Sequence, residues 1–241
     1  MTKLQILTFI LILGLFSYNG KTENFISIDE NVLSEVQESV SISDTIKKFV
    51  VDDYPVTNEM FGNGADKNSR YEKQSSQLLS YDKVWFGNDT LKQTLVFELY
   101  ADYHRLVTYH FLDNDIPTDL INRMELHISG GELASEEEKL KNFDGFLKHT
   151  EKINSLYFVT NKGFRLGSIK HKAIEVYGNP DKQTNTVGLE RLEWNFIGDE
   201  FYDDKIDLKG KPLAENSFGH QIIMYFKNGK LVGQILVNEI P

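Results

Sequence analysis

The chain has 241 residues, 40% hydrophobic and 26% charged, proportions that support a packed core and exclude a disordered or low-complexity chain. Its formal net charge of −10 repels phosphate backbones and speaks against nucleic acid as a partner. With no cysteine, the chain holds neither a disulfide, nor a Cys-based zinc site, nor the lipid-bearing cysteine of a bacterial lipoprotein.

The predicted elements begin with a segment unlike the rest. Met1-Thr2-Lys3 gives a short basic start, and the apolar run "LQILTFILILGLF" (4–16) is short for a hydrocarbon core of roughly 30 Å. Followed by the polar "SYNG", it has the layout of a secretory signal peptide, assigned to residues 1–20. The chain is therefore expected to be exported, to the periplasm or the exterior, with no membrane contact beyond this segment. An uncleaved N-terminal anchor is the competing reading, because neither Ser17 nor Gly20 sits in a small-x-small cleavage frame. The remainder divides into a sheet-rich region at 21–130 and, at 131–241, a helix followed by an α+β domain.

Within the first region, one helix is expected near Asp44 to Val51, and "GNGADKNSRYEKQSSQ" (62–77) reads as a long loop. "SYDKVWFGND" is a strand closed by a Gly-Asn-Asp turn, and "TLVFELYADYHRLVTYHF" (94–111) is a hairpin turning near Ala101 to His104. "PTDLINRMEL" opens as a helix at Pro117, Thr118 and Asp119. "ASEEEKLKNFDGFLKHTEKI" starts a longer helix, with Ser135 as cap and acids at the positive end of its dipole. Ser168 is the expected cap of the next helix, on which Ile169, Ala173, Val176 and Tyr177 share a face. Gly178 and Pro180 end it, and Gly163 and Gly167 precede it where tight turns fall. The strand "LERLEWNFI", a polar insertion from Gly198 to Ser217 and a hairpin turning at Asn228-Gly229 complete the chain. The fold class is α+β, with short helices packed on a curved antiparallel sheet.

Catalytic motifs are missing. The chain has no G-x-S-x-G, no S-x-x-K paired with K-T-G and no H-E-x-x-H. "DNDIPTD" (113–119) departs from a calcium loop, because Thr118 stands at position six and Met124 at position twelve. His104 and His110 fall about 20 Å apart if both lie on one extended strand, too far to share a metal. No cofactor or metal is expected. The aromatic residues on the predicted strands and loops, Tyr103, Trp194 and Tyr202 foremost, are the candidate protein-binding surface, since Tyr and Trp dominate binding hot spots. As an alternative, a hydrolase or small-ligand site would need carboxylates among Glu98, Asp102, Asp113 and Asp115 to converge. A third reading is an envelope protein that self-associates through strand edges.

"RLGSIKHKAIEVYGNPD", "RLEWNF" and "IIMYFKNGKLVGQILV" together resemble the BamE/SmpA-like and β-lactamase-inhibitor-protein-like domains. The resemblance covers about Tyr157 to Val237 and depends on Gly167, Gly178, Pro180, Trp194, Phe226 and Gly229. It implies a helical layer on a curved antiparallel sheet, and a binding module rather than an enzyme. The second of these families is a tandem repeat, and "SISDTIKKFVVDDYPVT", "KVWFGND" and the 94–111 hairpin are the candidate first copy. The missing lipid-bearing cysteine and the long Gly198–Ser217 insertion depart from the pattern. The expected partner is another protein, a peptide or a component of the bacterial envelope.

Overall fold

The computed structural model describes residues 46–55, 83–100, 104–124, 135–154 and 158–241. The expected signal peptide, the 62–77 loop and Tyr103 lie outside the described residues. The described strands in chain order are β1 (Lys48–Phe49), β2 (Lys83–Asn88), β3 (Gln93–Tyr100), β4 (Arg105–Leu112), β5 (Glu151–Lys152), β6 (Lys182–Thr186), β7 (Leu189–Ile197), β8 (Leu213–Ala214), β9 (Gly219–Lys227) and β10 (Lys230–Glu239). The described helices are α1 (Thr118–Arg123), α2 (Glu136–His149) and α3 (Lys170–Tyr177).

Eight strands form one sheet in the order β5-β2-β3-β4-β10-β9-β7-β6. Every ladder in it is antiparallel except β2–β5. β1 and β8 pair separately, in parallel. The architecture is thus α+β, dominated by a mixed sheet. The expected strand at 83–88 forms, the expected strands of the 94–111 segment pair with each other, and the last hairpin forms with Asn228 and Gly229 at positive φ angles of 51° and 73°. The boundary expected at 130/131 falls outside the described residues, and the two regions it separates share one sheet through the β4–β10 ladder.

Both faces of this sheet are covered. On one face, Leu192, Trp194, Ile222, Met224 and Leu236 pack beneath α3 and the extended segment 46–55. On the other, Trp85, Val96, Tyr109, Phe111, Ile223 and Ile235 pack beneath α1 and α2. Two-residue alternation explains the division, since neighbours along a strand point to opposite sides. α1 comes down onto β10 at Gly233, where a Cβ would stand 3.1 Å from Leu120 Cδ1 and 3.3 Å from Pro117.

Two expected helical features are corrected. Residues 46–51 are extended rather than helical, because Phe49, Asp52 and Tyr54 insert into the sheet face while Lys48–Phe49 pairs with Leu213–Ala214. Ile169, not Ser168, stands at the N-cap of α3. The Ser168 hydroxyl instead accepts from the Arg165 N–H at 3.1 Å. On that helix Ala173 and Tyr177 are buried, but Ile169 is 57% and Val176 38% exposed, so only half of the expected apolar face is used.

Gly198 joins β7 to the 199–212 insertion against the backbone of Ser217 and Phe218, where a Cβ would overlap both. Gly198→Ala is expected to destabilise the chain by more than about 2 kcal/mol through a backbone shift at this junction. An unchanged urea midpoint would contradict that packing.

Candidate functional site

A groove of about 650 Å³ opens where the cover over the α1 face ends. One wall is the start of α1, at Ile116 to Asp119 with Arg123. The opposite wall is the β6–β7 hairpin, and the floor includes Arg191, Tyr225 and Lys227. The hairpin arises because Val187 and Gly188 both take positive φ, 49° and 78°, which gives a two-residue turn matched to strand twist. On β6, the side chains of Lys182, Thr184 and Thr186 face the groove, while Gln183 hydrogen-bonds Glu190 on the opposite face at 2.6 Å.

Two tyrosine hydroxyls fix the helical wall. Tyr225 donates to Asp119 Oδ2 at 2.6 Å, and Tyr109 donates to the Arg123 carbonyl at 3.1 Å. The same Asp119 oxygen meets Arg123 Nε at 3.1 Å and Arg191 Nε at 3.3 Å. Burial pushes the Asp119 carboxyl upward, but its bonds from Tyr225 and Arg123 and the Arg191 charge hold it below the usual carboxylate range. Burial, and then Asp119, keep Tyr225 well above the ordinary tyrosine value. Arg191 also reaches Glu193 at 2.5 Å, and Lys227 pairs with Asp115 at 2.9 Å.

A second polar cluster is buried on the opposite face. Gln234 donates to the Tyr54 hydroxyl at 2.5 Å, Tyr54 lies 2.5 Å from His110 Nδ1, and His110 Nε2 lies 2.9 Å from Gln93 Oε1. Read as one chain of donors, this makes His110 a neutral imidazole protonated at Nε2. Its burial pulls the His110 pKa down to about 3. Beside it, Asp52 accepts a hydrogen bond from the Tyr177 hydroxyl, and burial raises its pKa to about 7 against the pull of Lys162.

The sequence-predicted positions scatter. Trp194 is 0% exposed and donates from Nε1 to the Gly178 carbonyl at 2.9 Å, so it is core and offers no surface. Tyr202 is half-buried on the insertion, and Tyr103 is outside the described residues. Gly163, Gly167, Gly178 and Gly229 all have positive φ, at 77°, 88°, 78° and 73°. Pro180 follows Gly178 in the turn into β6. Of the alternative carboxylates, Asp102 is outside the described residues and Glu98 is buried. Asp113 accepts from Thr94 at 2.7 Å, whereas Asp115 pairs with Lys227. Thr94 and Glu98 stand four residues apart on β3, about 13 Å along the strand, so Asp113 and Glu98 are held apart.

The groove residues Arg123, Lys182, Thr184 and Arg191 were not indicated by any motif. "KQTNT" has no apolar alternation, yet a turn of Val187-Gly188 followed by "LERLEW" is the signal that a partner strand precedes it. Comparison with family models, curated proteins and solved structures gives no match to this chain.

Proposed function

We propose that the chain is an exported, non-catalytic module that binds a protein or peptide in the groove between α1 and the β6–β7 hairpin. One observation carries this reading. The groove, about 650 Å³, has charged side chains and an apolar rim of Ile116, Pro117, Val187 and Leu189, and it adjoins a strand edge that has no partner among the described residues. Export rests on the N-terminal signal pattern.

The two-copy form of the family resemblance belongs to the same proposal. Its support is the topology: β2-β3-β4 and β7-β9-β10 are three-stranded meanders joined through their last strands, β4 and β10. A two-copy arrangement would place a pseudo-twofold axis normal to the sheet at that junction, keeping equivalent side chains on one face; Trp85 and Trp194, matched by the sequence echo, instead lie in the cores of opposite faces.

Affinity capture of residues 21–241 from native envelope and secreted fractions tests the reading, with Thr184→Trp run alongside. Thr184 is exposed, so the variant is expected to fold and to fill the groove. A stoichiometric partner retained by the wild type and lost by Thr184→Trp is the expected result. Equal capture by both would place binding elsewhere.

A further inference from the structure

The open edge of β6 and the charge of the groove together define what would fit there. Among the described residues β6 pairs only with β7, and all five of its residues are exposed. The two-residue turn sets the ladder: Thr186 pairs with Leu189 next to the turn, and the hydrogen-bonded pairs recur at Thr184–Arg191. The N–H and C=O groups of Gln183 and Asn185 therefore point away from β7. They present an unpaired edge of the kind to which an extended peptide adds as a further strand.

Four cationic residues line the adjoining groove, Arg123, Lys182, Arg191 and Lys227, against two lining carboxylates, Asp115 and Asp119, with a third, Glu193, paired to Arg191 at 2.5 Å and across the ladder from Lys182. This positive excess occurs in a chain whose formal net charge is −10. Both lining carboxylates are already engaged, Asp119 by Arg123 and Arg191, and Asp115 by Lys227. Lys182 has no ion-pair partner among the described residues. At the other end of the strand, Val187 is 101% exposed beside Leu189 and Ile116.

We propose that β6 takes an extended acidic peptide as a ninth strand of the sheet. This rests on the groove being the binding site, and it names the ligand's chemistry. A peptide strand alternates its side chains, so its groove-facing positions stand opposite Lys182, Thr184 and Thr186 in turn. Acidic side chains at the first two face Lys182 and, straight across past Thr184, the side chain of its ladder partner Arg191. An apolar side chain at the third meets Val187, Leu189 and Ile116. The recognised pattern is acid-x-acid-x-apolar, read along β6 from Lys182 toward the turn.

The experiment is fluorescence anisotropy with three labelled nine-residue peptides, designed to add antiparallel to β6: one carrying Leu-Thr-Glu-Thr-Glu at its centre, one with both glutamates replaced by lysine, and one with both central threonines replaced by proline. Each is titrated with the wild type, with Lys182→Glu and with Asn185→Pro. Proline is tolerated on an edge strand where its missing N–H faces solvent, so Asn185→Pro is expected to keep the wild-type thermal midpoint. The acidic peptide is expected to bind the wild type, more weakly as salt rises, and Lys182→Glu is expected to weaken it about tenfold. Asn185→Pro and the proline peptide are both expected to abolish binding, and the amide protons of Gln183 and Asn185 to gain exchange protection in the complex. Equal binding of the lysine peptide would overturn the acidic preference. Unchanged affinity in Asn185→Pro would overturn strand addition, as would no binding of any peptide. In each of those cases, loss of the captured partner in Thr184→Trp would still stand for the groove itself, so the two readings fail separately.

Discussion

Denaturant unfolding is expected to show stability climbing from pH 4 to pH 6.5 and levelling off between pH 6.5 and 7. His110 and His220 are buried and their pKa values are pulled down to about 3 and about 4, from an ordinary 6.5. Their folded values are depressed, so below pH 6.5 the unfolded chain takes up protons that the native chain refuses, and stability is lost as pH falls. Asp52 acts in the opposite direction. Burial first, opposed by Lys162 and Lys172 and reinforced by Asp53, raises it from 3.8 to about 7. Its contribution is complete below 3.8 and is lost as pH rises through 7. From pH 4 to 6.5 two histidines outweigh one aspartate, leaving a net rise of about 1.4 kcal/mol per pH unit. Carboxylates held low by ion pairs, Asp119 and Asp181, add losses of the same sign at still lower pH.

Asp52→Asn separates these contributions. The amide keeps an acceptor for the Tyr177 hydroxyl but has no proton to lose. The variant is expected to climb about twice as steeply to pH 6.5, to go on rising to about pH 7 where the wild type levels off, and to flatten above it. Superimposable profiles for variant and wild type would show that Asp52 does not carry the proton in the native chain.

Trp194→Ala is expected to cost about 3–5 kcal/mol, the range for deleting a large aromatic from a core. The indole is 0% exposed, lies 5.5 Å from the Tyr177 ring, and holds the Gly178 carbonyl at the end of α3. Its removal loosens that helix end as well as opening a cavity. Trp194→Phe keeps most of the apolar contact and loses the hydrogen bond, an expected cost of about 1–3 kcal/mol. Thermal midpoints and urea midpoints of the two variants check the order. A change in Trp194→Ala under about 1 kcal/mol would indicate a surface residue instead.

Much of the sheet was legible because its signals are local. Asn228-Gly229, the 94–111 alternation and the "LEWNF" run each state a strand or a turn within a few residues. The helix at 136–149 was equally plain, announced by Ser135 and three glutamates. Segment 46–55 was not. Its β-branched run suits a helix or a strand, and what decides is burial of Phe49, stacked on Phe196 at 4.3 Å, and of Tyr54, bonded to Gln234 180 residues away. The candidate groove was hidden for the same reason. Arg123, Lys182 and Arg191 lie far apart in the chain, and only the packing of α1 beside the β6–β7 hairpin brings them together. Trp194 misled in the other direction, since an aromatic on a strand with both faces covered has no surface to offer.

The place of β10 in the sheet sets an order of events for folding. It lies between β4 and β9 and so completes both meanders, yet it is the last strand in the chain. The Gln234–His110 contact alone spans 124 residues. Until β10 arrives, β4 and β9 each display a full-length open edge and a half-covered apolar face. Contacts of such long range slow folding and leave sticky intermediates. Neither meander is therefore complete before residues 230–239 dock between β4 and β9.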